Sequence, residues 1–270
     1  MRLADAILDA CRCNVQAPLA ADPAQDFGLD KAQAQQAMAE LRPWLNERQR
    51  MLWANRKEAL LLLLQGPDCS GKDSLIHRVV SAFDPQGVAL HAFQAPDACA
   101  RRHHFLWRYS RVLPAPGLLG VFNRSHYEGL ISDPLDGLCS AEELPARTAA
   151  LLAFEAQWPA QNLRPLKCYL HISRAKQQQR LLSRLERPEK RWKLQASDLQ
   201  AHREFDLRQS RWSAVLAATH TPQAPWYVIP AEHRWLRDWL VASLLARTLE
   251  RLELNWPEVV PPFSRADLQD

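Results

Sequence analysis

Nine consecutive residues concentrate the chemistry of this chain: Gly66-Pro67-Asp68-Cys69-Ser70-Gly71-Lys72-Asp73-Ser74. Two glycines bracket four residues, so the backbone can wrap its N–H groups around anionic oxygens while Lys72 adds a mobile positive charge. The apolar run Leu60–Leu64 leads into this loop and a helix should open at about Lys72, contributing roughly half a positive charge at its N-terminus. Gly66, Cys69, Ser70, Gly71, Lys72, Asp73 and Ser74 are therefore the expected phosphate-binding residues. The strict motif has Ser or Thr directly after the lysine to hold magnesium; here Asp73 takes that place and Ser74 follows.

A second polar cluster, Asn123-Arg124-Ser125-His126-Tyr127-Glu128, follows another apolar run. Arg124 can grip a phosphate with both arms of its guanidinium, and Glu128 can supply a negative charge to a metal ion. Asn123 has no charge but can hydrogen-bond a metal-bound water. Its Asn-Arg-Ser triplet matches a glycosylation acceptor, a match set aside in a chain without export signals. Between Arg174 and Lys193 eight basic residues face two acids, and Arg180, Arg184 and Arg187 fall at helical spacing along one stripe. Charge runs usually mark solvated faces, but a lid closing over phosphates would need such a stripe. Arg108 is a further candidate for anion contact, whereas His103 and His104 diverge by about 100° on a helix and suit a shared metal poorly.

Strands and helices must position these groups. Apolar runs at 59–65, 88–93, 118–123, 166–172 and 226–229 alternate with helical patterns, which predicts a parallel sheet with helices on both faces. In such sheets ligands bind beyond the carboxyl ends of the strands, so the loops after 65, 93, 123 and 172 should converge. Residues 31–57 read as an amphipathic pair of helices interrupted at Pro43. The expected organisation is an N-terminal extension at 1–28, one domain at 29–256 and a C-terminal tail at 257–270.

The chain has 270 residues, 47% of them hydrophobic, and a net charge of +4. That length supports a full core, and the charge is too mild to argue for nucleic acid. No run approaches the ~18 apolar residues of a membrane span, and Asp5 and Asp9 interrupt the stretch a signal peptide would need. Six cysteines lack metal-binding spacing and read as free thiols of a cytoplasmic protein.

Taken in order, Gly66–Ser74, Phe93–Pro96, His103–Arg108, Phe122–Glu128, Pro188–Lys193 and Ala224–Trp226 resemble polyphosphate kinase family 2, over about residues 29–254. The resemblance implies a three-layer α/β P-loop kinase fold, a five-stranded parallel sheet with helices on both faces, and a helical lid at about 174–212. It implies phosphoryl transfer between inorganic polyphosphate and a nucleotide, with Mg2+ as cofactor and assembly into a homo-oligomer, dimer or tetramer. Asp68, Lys72, Arg124 and Glu128 are then the catalytic candidates, with Asp68 and Glu128 on the metal. Arg108, Asn123, Arg180, Arg184, Arg187, Lys190 and Lys193 are the candidates for nucleotide or polyphosphate contact. The Asn-Arg-Ser-His-Tyr-Glu form resembles the branch acting on nucleoside mono- and diphosphates, which favours AMP or ADP.

The chain departs from the family pattern at several places. Ser74 and Leu75 stand where the family has Gly and Thr, and Gln94 where it has Lys. Acids common near Ala100, His104 and Gly129 are missing. An ATP-dependent nucleoside monophosphate kinase, or a relative that binds polyphosphate or nucleotide without turnover, are the alternatives.

Overall fold

The computed structural model describes residues 2–268. Five parallel strands, β1 (Ala59–Gln65), β2 (Val88–Ala92), β3 (Leu119–Asn123), β4 (Leu163–His171) and β5 (Trp226–Pro230), form one sheet in the order β2-β3-β1-β4-β5. Every residue of β1 is buried, as a central parallel strand covered on both faces requires. Alternate β1 side chains divide between two cores. Leu60, Leu62 and Leu64 pack with α2 (Lys31–Asn55), α3 (Lys72–Val79) and α10 (Arg234–Glu250). Ala59, Leu61 and Leu63 pack with Tyr109, Phe122 and Trp158 on the opposite face. That alternation produces the three layers.

The short helices α1 (Asp5–Ala10) and α4 (Trp107–Ser110) contribute Leu8 to the first of these cores and Tyr109 to the second. Between β3 and β4 lie α5 (Glu128–Leu135) and α6 (Leu144–Ala156). A helical excursion of α7 (Arg174–Glu186), α8 (Ala196–Arg203) and α9 (Phe205–Thr219) separates β4 from β5. The lid expected at about 174–212 falls within this excursion.

The expected break at Pro43 does not occur: α2 is one helix of 25 residues, opened by an Asp30–Gln33 capping box. Pro43 and Ala39, whose carbonyl loses its partner, are both exposed, so water can satisfy that group. Leu41 and Leu45 are buried on the other side, and Arg42 donates to Arg78 O at 2.6 Å. Packing carries the helix through the proline.

Strand β4 begins three residues before the expected position, and Pro165 lies inside it. Only residues 167–171 of β4 pair with β5, so Pro165 meets no ladder on that side. The N-terminal segment is laid onto the sheet: Cys13 N donates to Trp226 O and Val228 N to Cys11 O, at 2.9 and 2.7 Å. It covers the β5 edge, which would otherwise be open to pairing. Leu3 and Leu8 are buried in the main core.

Candidate active site

The loops after the strands meet in a cleft of about 750 Å3 at the carboxyl end of the sheet. β1 lies between β3 and β4 at its centre, the place where an open sheet of this kind binds ligands. Gly66 has φ 141°, and a Cβ there would sit 2.6 Å from Leu170 O. Gly71 has φ 101°, and a Cβ there would collide with the Arg237 guanidinium. Both glycines are thus required by backbone conformation and close approach.

Two arginines hold the loop by its carbonyls. Arg180 donates to Cys69 O, Ser70 O, Ala231 O and Glu232 O at 2.8, 3.1, 2.8 and 3.0 Å. Burial, with Arg234 and Arg237 nearby, lowers its pKa to about 10. Arg237, fully buried, donates to Ser74 Oγ at 3.1 Å and to Asp238 Oδ1 at 2.9 Å from Nε, and its second arm reaches Ser70 O at 3.4 Å. Ser74 therefore has a partner in Arg237. Leu75 is wholly buried in the main core, pointing away from the cleft.

Lys72 folds back over the loop, donating to Gly66 O and Pro67 O at 2.7 and 3.2 Å. Burial and the Arg124 charge lower its pKa. Asp68 accepts from Arg124 at 2.6 Å. Burial works to raise the Asp68 pKa, but Arg124 and Lys72 outweigh it and hold the carboxyl below its usual range. Asp73 accepts from Asn123 Nδ2 at 2.8 Å and faces Lys193 at 3.7 Å. Behind Asp68, Gln177 Nε2 donates to its carbonyl at 3.1 Å, and Gln177 Oε1 lies 2.8 Å from His202 Nδ1. Helices α7 and α8 thereby reach the loop's acid through its carbonyl.

The loop after β3 is anchored from the core side. Ser125, His126 and Tyr127 are fully buried, while Asn123, Arg124 and Glu128 reach the cleft. Glu155 accepts from Tyr127 Oη at 2.5 Å and from His126 Nε2 at 3.0 Å, and Lys167 Nζ lies 2.8 Å from its other oxygen. Lys167 also donates to Thr219 O at 2.9 Å. Burial works to raise the Glu155 pKa, but Lys167 and His126 prevail and lower it. Burial lowers the His126 pKa, which keeps that ring neutral.

Glu128 opens α5 and accepts from Ser132 Oγ at 2.5 Å. With its amide turned to satisfy both ends, Gln65 donates to Glu128 Oε1 at 3.0 Å and accepts from Ser125 Oγ at 3.0 Å. This residue joins the two loops.

The cleft contains Asp68, Cys69, Gly71, Lys72, Asp73, Ser74, Arg108, Asn123, Arg124, Glu128, Arg180, Arg184, Lys190 and Lys193. Gly66 and Ser70 lie beneath it in the loop. Arg187 is exposed and outside the cleft, because α7 ends at Glu186 and the residue before Pro188 leaves helical conformation. Arg108 points its guanidinium at Gln94 O and Tyr109 Oη, at 2.6 and 2.5 Å.

Several cleft residues escaped the sequence reading: Ser132, Asp133, Asp136, Asp198, Arg208 and Arg234. Ser132 stands four residues after Glu128, a helical neighbour the spacing could have flagged. Gln65, a polar residue closing a leucine run, was also visible. Gly129 has a steric reason, since a Cβ there would meet the Phe105 ring at 2.5 Å.

Among the described residues no group of three or more His, Cys, Asp or Glu could hold a metal by itself. The two carboxylates of Asp68 and Glu128 in the cleft are the kind of donors that a hydrated divalent cation takes alongside substrate phosphates. Ser70 Oγ is buried with no partner in the loop, a polar atom still able to donate.

A central strand feeding a glycine-bracketed, lysine-headed helix, with cationic residues of the α7–α8 segment lining the same cleft, defines an α/β kinase. Residues 28–255 match the Polyphosphate kinase 2 family, and the chain belongs to it. It is similar to the AMP/ADP-polyphosphate phosphotransferase of Meiothermus ruber, 37% identical over 237 residues, covering 88% of this chain and 89% of that one. The ADP-polyphosphate phosphotransferase of Rhodopseudomonas palustris is 34% identical, with 83% and 82% covered. The crystal structure of Polyphosphate Kinase 2 from Arthrobacter aurescens superposes with TM-score 0.91 at 35% identity, covering 97% of this chain and 94% of that one.

Proposed function

We propose that the chain transfers a phosphoryl group between inorganic polyphosphate and a nucleoside mono- or diphosphate, AMP or ADP, with Mg2+. One observation carries this: Lys72, Arg124, Arg184, Lys190 and Lys193 share one cleft with the carboxylates of Asp68 and Glu128. The similarity to the Meiothermus ruber enzyme, whose name specifies AMP/ADP, supports the choice of acceptor.

Phosphoryl transfer through a loose transition state spreads charge over the equatorial oxygens, so catalysis rests on positioning and charge stabilisation. Lys72 exchanges its two carbonyl partners for phosphate oxygens. Arg124, oriented by Asp68, takes the oxygens on the other side. When bound, Mg2+ neutralises developing charge, and Asp68 and Glu128 are the residues to hold it. The lid excludes water, with Lys193 already set over Asp73 at 3.7 Å. Six free cysteines support a reducing, cytoplasmic setting. Assembly into a homo-oligomer follows from the family resemblance and is read by light scattering.

Purified protein with Mg2+ and long-chain polyphosphate should form ATP from ADP, or ADP from AMP, followed by 31P NMR. Lys72→Ala should lower the rate by about 10²–10³-fold. A rate that requires ATP and ignores polyphosphate would replace this reading with an ATP-dependent kinase. Polyphosphate binding without product from any acceptor would leave a binding protein.

A further inference from the structure

A second cavity, of about 550 Å3, opens at the amino ends of β4 and β5, at the opposite end of the sheet from the cleft. Arg12, Arg164, Arg247 and Arg251 line it against one carboxylate, Glu58. Two of these arginines are already committed. Arg164 holds Glu58 with both arms at 2.9 and 3.0 Å. Arg247 is buried and donates to Asp9 at 2.7 Å and to Tyr227 Oη at 3.0 Å.

The other two are not. Arg12 and Arg251 are exposed and make no ion pair among the described residues, and the exposed Gln223 side chain has no hydrogen-bond partner there. Three separate elements present them: the N-terminal segment bridged to Tyr227, the turn before β5 and the last residue capping α10. Single surface arginines usually mean only solvation. Here two free guanidiniums and a free amide border one concave space, with two further guanidiniums in its walls. Three prolines in the lining keep those walls stiff.

We propose that this cavity is a second anion site, taking the phosphoryl oxyanions of a linear inorganic polyphosphate. Guanidiniums match such oxyanions in geometry as well as charge. A nucleotide fits less well because the lining offers no platform for a base. Its one aromatic ring, Tyr227, is 7% exposed, and the Tyr227 hydroxyl is held by Arg247. The site holds donor polymer away from the transfer centre and takes no part in transfer.

The test is calorimetric titration with inorganic tripolyphosphate. A Lys72→Ala/Arg124→Ala variant, its cleft disabled, should still bind, and adding Arg12→Gln and Arg251→Gln should weaken that binding at least tenfold. Both arginines are exposed and unpaired, so thermal melting should be unchanged, as should turnover of Arg12→Gln/Arg251→Gln with saturating tripolyphosphate. AMP should not compete. Loss of all binding in the cleft-disabled variant, or binding indifferent to Arg12 and Arg251, would overturn the proposal. Competition by AMP would reassign the site to nucleotides and overturn the base-free assignment. Binding that persists in a protein without transferase activity would leave this inference standing while the proposed activity fell.

Discussion

The loop after β1 and the loop after β3 supply the cleft's central charges, yet they are held from behind in opposite ways. The first is gripped by its carbonyls: Arg180 and Arg237 reach Cys69 O and Ser70 O from neighbouring elements. The second is gripped by its side chains, with Ser125, His126 and Tyr127 turned into the core and tied to Gln65 and Glu155. What each loop presents explains the difference. A phosphate cradle works through backbone N–H groups, so its carbonyls are the handles left over. The β3 loop works through the side chains of Asn123, Arg124 and Glu128, so the residues between them become the anchor.

Breaking the buried anchor should have the largest effect. Lys167→Met leaves Glu155 charged and buried without its ammonium partner, and should cost about 3–5 kcal/mol in urea unfolding. Lys167→Met combined with Glu155→Leu removes both charges and should recover much of that loss. A single-variant cost below about 1 kcal/mol would show that charge burial is not what holds the β3 loop.

Releasing the carbonyl grip should act more on rate than on stability. Arg180→Ala removes donors from four carbonyls, costing about 2 kcal/mol. A loop displaced by about 1 Å should lower the transfer rate roughly 10²-fold with Lys72 intact. Arg180→Lys should restore little, because one ammonium cannot span two pairs of carbonyls. A full rate in Arg180→Ala would mean the glycine loop needs no clamp.

The cradle itself was legible in the sequence because its requirements are local. Gly66, Gly71 and Lys72 answer to backbone conformation and spacing, and the leucine run before them could only be a buried strand or helix. The clamps were not legible. Arg180 read as part of a phosphate-facing stripe, and helical spacing cannot show that its guanidinium turns to carbonyls from β1 and β5 loops. Lys167 interrupts an apolar strand and Glu155 an apolar helix, visible oddities whose pairing exists only after folding. Arg187 shows the converse error, a stripe extended one residue past the end of the helix, which stops ahead of Pro188.

The buried anchor also sets a pH response. Glu155 has its pKa lowered in the folded chain, so its contribution is fully present above the unfolded value of about 4.3. It is lost as pH falls through the folded value. Below about pH 4.3 and down to the folded value, unfolding free energy should fall by up to about 1.4 kcal/mol per pH unit on account of this group. The Lys167→Met/Glu155→Leu variant should show a shallower slope, while Asp68 of the β1 loop, also held below its usual range, titrates in both proteins. Equal slopes would place the acid sensitivity in the first loop instead of the second.

The smallest effect should come where the two loops share support. Glu128 is held by Ser132 from its own helix and by Gln65 from the end of β1. Ser132→Ala removes one partner and leaves the other, so the carboxylate keeps its direction and the transfer rate should fall only about fivefold, near 1 kcal/mol. Gln65→Leu added to it should cost more than the two single changes combined, because neither partner then remains to orient the group. Additive losses would mean that Ser132 and Gln65 act on Glu128 independently, so that neither compensates for the other's loss.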